Sequence, residues 1–92
     1  MSVRVRVPSP LRQLTAGAAE VEVDGSTVAE ALRDLERRYP GFSPRIFEPE
    51  GSLRHFVNVY RNDDDIRTSG GLGAALAPGD QLSIVPAVAG GA

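Results

Sequence analysis

The residues best suited to chemistry lie at the C-terminus. After Pro86 the chain reads Ala87-Val88-Ala89-Gly90-Gly91-Ala92, with no charged and no bulky side chain. Six extended residues reach at most roughly 20 Å from a folded body. Two adjacent glycines lack Cβ atoms, so the chain can thread a narrow channel and its carbonyl carbon can be approached closely. Such a terminus suits entry into another protein's active site. The same composition also fits an ordinary small-residue terminus, and spacing alone does not separate the two.

Other reactive constellations are poorly formed. There is no cysteine, which removes disulfides, thiolate catalysis and thiolate metal ligation. His55 is the sole histidine and has no second soft ligand to share a metal. Asp63-Asp64-Asp65 lacks the alternating carboxylates and distal Glu of a calcium loop, so it reads as a solvated turn. Ser69-Gly70-Gly71 is not followed by the Lys of a phosphate-binding loop. No metal site, no resident cofactor and no catalytic residue is expected. All ten basic residues are arginine, which leaves the N-terminus as the only primary amine.

The elements that must carry the tail follow from patterning. Ser2 to Pro8 alternates strictly, with Val3, Val5 and Val7 on one face and Arg4 and Arg6 on the other. Pro8 and Pro10 end that strand, and Thr15-Ala16-Gly17 forms a turn. Glu20 to Asp24 alternates again, which suggests an N-terminal hairpin. Thr27 followed by Glu30 is a capping box opening a helix. Val28, Leu32, Leu35 and Tyr39 form its apolar stripe, and Pro40-Gly41 stops it. Residues 42–52 read as a crossover loop with one short helical turn at 45–47.

A third strand spans His55 to Tyr60. Two parities compete there, and the β-branched pair Val57 and Val59 is expected inward. Residues 62–65 are expected as a polar turn, 66–68 as a short edge strand and 72–76 as a short helix. Gln81 to Pro86 is the last strand, with Leu82 and Ile84 inward and Val85 outward. The expected core is Val3, Val5, Val7, Val21, Val23, Val28, Leu32, Leu35, Val57, Val59, Leu82 and Ile84. The order predicts an α+β fold, a mixed sheet packed on one main helix, with residues 1–86 as the domain and 87–92 as its mobile tail. Arg4, Arg6, Pro8 and Val85 fall on the sheet face away from the helix, joined by Phe56 and Tyr60 if the third-strand register holds. Apolar groups among charges on an open face suggest a docking patch.

Ninety-two residues allow one domain with a small core, and 41% apolar residues suffice to build it. A net charge of −2 gives no reason to expect nucleic acid or an anionic membrane as partner. No apolar run approaches a membrane span and no signal peptide is visible, so a cytoplasmic location is expected.

Residues 78–91, Pro-Gly-Asp-Gln-Leu-Ser-Ile-Val-Pro-Ala-Val-Ala-Gly-Gly, resemble the ending of the ThiS/MoaD-type sulfur carriers. These share the β-grasp, ubiquitin-like fold. Residues 56–67 and 69–72 are similar to the CysO branch, and the resemblance spans essentially the whole chain. It implies a carrier and not an enzyme. A ubiquitin-activating-type enzyme would use ATP to adenylate the terminal glycine, and sulfur would then displace AMP to leave a thiocarboxylate on Gly91. Val88, Ala89 and Gly90 would be the inserted tail. The implied partners are that adenylating enzyme, a sulfur-acceptor synthase resembling cysteine synthase or serving a thio-metabolite, and a metallopeptidase. Ala92 departs from the pattern, since it follows the second glycine. Either it is removed from a precursor or it is an expression remnant, and the precursor is favoured. A ubiquitin-like protein modifier is the alternative; the lack of lysine excludes isopeptide-linked chains of this protein.

Overall fold

In the computed structural model, residues 2–86 are described. The tail residues Val88 to Ala92, on which the thiocarboxylate and processing expectations fall, lie outside the described residues.

The alternating N-terminal segment forms β1 (Ser2–Arg6), which pairs antiparallel with β2 (Glu20–Asp24). Val3 faces Val23 and Val5 faces Val21, so both apolar rows share one side. Between the strands the expected loop contains a 3-10 helix, Ser9–Thr15. Pro10 sits in its first turn, where a missing N–H is harmless, and the helix buries Leu11. Thr15 Oγ1 donates toward the Arg12 and Ala18 carbonyls at 3.1 and 2.8 Å and closes the turn.

Helix α1 (Val28–Arg38) begins at Thr27, whose hydroxyl accepts from the Glu30 N–H at 3.2 Å. The reciprocal half of the capping box is displaced by one residue. Glu30 reaches back to the N–H of Ser26, at 3.0 Å, and not to that of Thr27. Val28, Ala31, Leu32 and Leu35 are buried, and Tyr39 packs half-buried at the stripe's end. Past the helix, Glu36 accepts from the N–H groups of Ser43 and Gly41 at 2.7 and 3.1 Å, which steers the chain into α2 (Ser43–Ile46). This short helix begins two residues before the turn expected at 45–47 and overlaps it. Pro44 is tolerated in a first turn, and Phe42 and Ile46, one turn apart, both anchor in the core at 1% exposure.

Strand β3 (Val57–Arg61) starts later than expected, because residues 54–57 close a turn through the Val57 N–H and the Arg54 carbonyl. Val57 and Val59 are buried, as the inward register requires. The turn and edge strand expected over 62–68 are corrected. The turn is the tight pair Asn62-Asp63, with Asn62 at φ 55°, and β4 is Asp64–Asp65. The Asp65 carboxylate accepts from the Arg67 N–H at 2.9 Å and bends the chain into a 3-10 helix (Ile66–Thr68), which drops Ile66 into the core. The helix expected over 72–76 shrinks to a 3-10 turn at Gly71–Gly73. Beyond it the chain is extended: the Ala74 carbonyl accepts from Val28 N–H, and Leu76 N–H donates to Ser26. Ala74 and Leu76 are thereby buried.

Strand β5 (Gln81–Pro86) inserts between β1, to which it is parallel, and β3, to which it is antiparallel. The sheet order is β2-β1-β5-β3-β4. Every residue of the expected core is buried. Leu11, Phe42, Ile46, Ile66, Ala74 and Leu76 extend it.

Candidate functional site

The tail is launched from the middle of the sheet. β1 pairs with β5 as far as Ser83 and β3 pairs with it from Leu82 to Pro86, so Pro86 is held on the β3 side, opposite Val57. Two hollows meet at this point. On the open face, away from α1, a groove of about 600 Å³ runs along the end of β5. Arg6, Pro8, Tyr60, Ser83 and Val85 line it. The register explains the grouping: Arg6 pairs with Ser83 across β1–β5, and Ser83 pairs with Tyr60 across β5–β3.

Arg4, Arg6, Pro8, Tyr60 and Val85 therefore share the open face, but not one hollow. Arg4 borders a shallower depression with Glu20 and Glu22. Arg4 and Arg6 both approach the Glu20 carboxylate, at 3.6 and 4.0 Å, and such exposed pairs contribute little to stability. Val85 is 43% exposed, a large apolar group in the open on a central strand. Phe56 goes elsewhere. It precedes β3 and lines a second, apolar hollow on the other side of Pro86, with Leu11 and Ile46.

Some residues of this region carried no sequence signal. Arg12 borders the groove, held by its Nε bond to the Val7 carbonyl at 3.0 Å. The turn before β5 is fixed by Asp80. Its carboxyl is held below the usual range, first by the Ala77 N–H at 2.9 Å and then by Asn62. Asn62 in turn accepts from the Gln81 N–H at 3.1 Å. The Gly79-Asp80 pair was legible as a turn, but its clasp on the β3–β4 loop was not.

Among the described residues no cluster of three or more His, Cys, Asp or Glu is placed to hold a metal. His55 lies exposed in the turn before β3. No helix among them is long and apolar enough to cross a membrane.

A mixed five-stranded sheet folded over one helix, with β5 central and leading to a Gly-Gly end, defines the β-grasp, ubiquitin-like class. Residues 5–91 match the ThiS family, and the chain belongs to it. It is 47% identical over 93 aligned residues to the sulfur carrier protein CysO of Mycobacterium tuberculosis, covering 99% of this chain and 100% of the relative. A chain of the crystal structure of the Amycolatopsis orientalis BexX/CysO complex superposes with a TM-score of 0.89 at 48% identity, covering 96% of this chain and 98% of that one. The crystal structure of SAMP1 from Haloferax volcanii gives 0.82 at 33% identity, covering 98% and 99%. The similar proteins are thus small sulfur carriers and archaeal modifiers.

Proposed function

We propose that this protein carries sulfur as a thiocarboxylate on Gly91. A carboxylate oxygen of the terminal glycine attacks the α-phosphorus of ATP in a partner enzyme and expels pyrophosphate. A sulfur nucleophile then adds to the acyl carbon of the adenylate and AMP leaves. The chain supplies no acid, base or metal to these steps. Its part is to present an unhindered carbonyl carbon on a slim tail from an anchored strand. The observation that carries the reading is the placement of β5: a central strand ends at Pro86, and the sequence from there runs to Gly90-Gly91. Full-length similarity to a CysO protein supports it. The acceptor is then a cysteine synthase-like or thio-metabolite synthase, and a metallopeptidase removes Ala92 and releases product at the same bond.

The experiment incubates two chains, one ending at Ala92 and one at Gly91, with the adenylating enzyme of the same organism, ATP and sulfide. Intact mass is then read. The Gly91 form gains the difference between sulfur and oxygen. Ala92 places a Cβ and one more residue at the reacting carbon, and misplacement of about 1 Å can cost on the order of a hundredfold in rate. The Ala92 form therefore converts about that much more slowly. Equal conversion with Ala92 retained removes the processing step; no conversion of either chain removes the carrier reading. The similarity to SAMP1 favours a second reading, a protein modifier, which would appear as adducts of this chain on lysines of other proteins.

A further inference from the structure

The apolar hollow beside Pro86 has a volume of about 310 Å³ and lies between the 3-10 helix of residues 9–15 and α2. Leu11, Ile46, Phe56, Val57 and Pro86 form walls, and among the described residues Arg45 is the only charged one lining it. Phe56 is 45% exposed, with the Arg54 guanidinium 5.9 Å from its ring centre. An exposed ring held by a cation on one side keeps an apolar surface open at small entropic cost.

Arg45 differs from the other arginines. Arg4 and Arg6 approach Glu20, Arg12 binds the Val7 carbonyl, and Arg37 and Arg38 bind Asp34. Arg54, Arg61 and Arg67 donate to the Pro44, Ala75 and Arg54 carbonyls. Arg33 sits in the field of Glu30. Among the described residues the Arg45 side chain has no carboxylate or carbonyl partner. An unmatched guanidinium on an apolar rim calls for an anionic group from outside.

We propose that this hollow is a second docking point for enzymes that accept the C-terminal tail. It receives one aliphatic or aromatic enzyme side chain, and a neighbouring enzyme carboxylate pairs with Arg45. The inference rests on the carrier reading, since it requires such enzymes. Its geometric basis is Pro86, which borders both hollows. An enzyme enclosing the last glycine must come within the roughly 20 Å span of the residues after Pro86. Its rim then meets the molecule on both sides of β5. A second copy of this chain is the poorer occupant, because a two-fold contact here would bring two Arg45 charges together.

The test titrates the full ¹⁵N-labelled chain with the adenylating enzyme and, separately, with the acceptor synthase of the same organism. Calorimetry is repeated on Arg45→Glu and Phe56→Ala. The amide signals of Ile46, Phe56 and Val57 should shift, and Kd should rise about tenfold in each variant while the free variants keep the wild-type spectrum. Phe56→Ala guards against an Arg45→Glu effect that is only long-range charge. Tight binding of wild type with Kd within about twofold in both variants would overturn this inference and leave the carrier reading standing. Self-association of the wild type that Arg45→Glu abolishes would assign the hollow to a copy of this chain and overturn it equally. A wild type that binds neither enzyme would overturn the carrier reading and this inference with it.

Discussion

Where β1 begins, Asp24 and Asp34 close on one another and Gly25 abuts the first turn of α1; where β5 finishes, Arg45, Phe56, Tyr60 and Val85 face outward or line open hollows. At the first end Asp34, a carboxylate on the inner side of α1, is buried. It accepts from the Asp24 N–H at 2.8 Å and from Arg37 and Arg38, and Arg38 also reaches the Asp24 carboxylate at 2.9 Å. Helix and edge strand are thus tied by a polar cluster satisfied within the chain. At the second end the exposed Phe56 and Val85 and the Arg45 cation have no such partners among the described residues. Polar groups paired at home stabilise the fold, and groups left unpaired beside the tail are available to another protein. Substitutions at the first end should therefore register in stability, and those at the second in binding.

The largest effect is expected at Gly25. A Cβ built there would lie 2.5 Å from the Ala31 nitrogen and 2.8 Å from its Cα, both helix backbone. The helix cannot yield without leaving the sheet, so Gly25→Ala should cost about 3 kcal/mol, the upper part of the range for overpacking. Urea unfolding measures it. A loss under about 0.5 kcal/mol, the scale of an ordinary surface substitution, would show that α1 rides on β2 more loosely than this geometry requires.

Asp34 comes next. Its pKa is lowered from 3.8 to about 2, first by the Asp24 N–H and then by the two arginines, against the opposing effect of burial. A depressed carboxylate contributes stability that is present above its unfolded pKa and lost as pH falls through the folded one. That contribution is on the order of 2 kcal/mol. Asp34→Asn should accordingly be less stable than wild type by about that amount at pH 7. The gap should hold down to about pH 4 and close by about pH 2, the window between the two pKa values. A gap independent of pH would mean that packing, not charge, holds this end.

These two ends also differ in how far the sequence disclosed them. Val3, Val5 and Val7, like Leu82 and Ile84, repeat with the strand period, and Thr27 with Glu30 marks a helix start, so sheet and helix were legible. Asp34 was not, because a charged residue on a helix reads as solvent-facing until β2 brings its N–H opposite. Phe42, Ile46 and Ile66 lie in segments broken by Pro44, Pro49 and the acidic turn, where no period survives to reveal which apolar residues turn inward. Of the site, Arg6, Pro8, Tyr60 and Val85 followed from strand parity. Phe56 followed the same parity on paper but sits in the turn before β3, where alternation no longer governs direction. Arg45 gave no signal, since only the folded chain shows that it has no partner among the described residues.

The smallest expected effect is at Val85, and it sharpens the contrast most directly. Val85 stands 43% exposed on the open face opposite Asn58, in the groove shared with Arg6 and Tyr60. Val85→Asp buries no charge, so unfolding free energy should change by about 0.5 kcal/mol or less. An acidic group in an apolar contact leaves a desolvated charge without a partner, and under the proposed carrier function affinity for an adenylating enzyme should fall about tenfold. The double variant with Arg45→Glu then asks whether the two hollows act separately. Groups without shared partners give nearly additive free energies, so the two losses should multiply to about a hundredfold. A double variant no weaker than either single one would mean that the enzyme loses the whole end of the sheet at once, and that the groove and the apolar hollow form one continuous contact around Pro86.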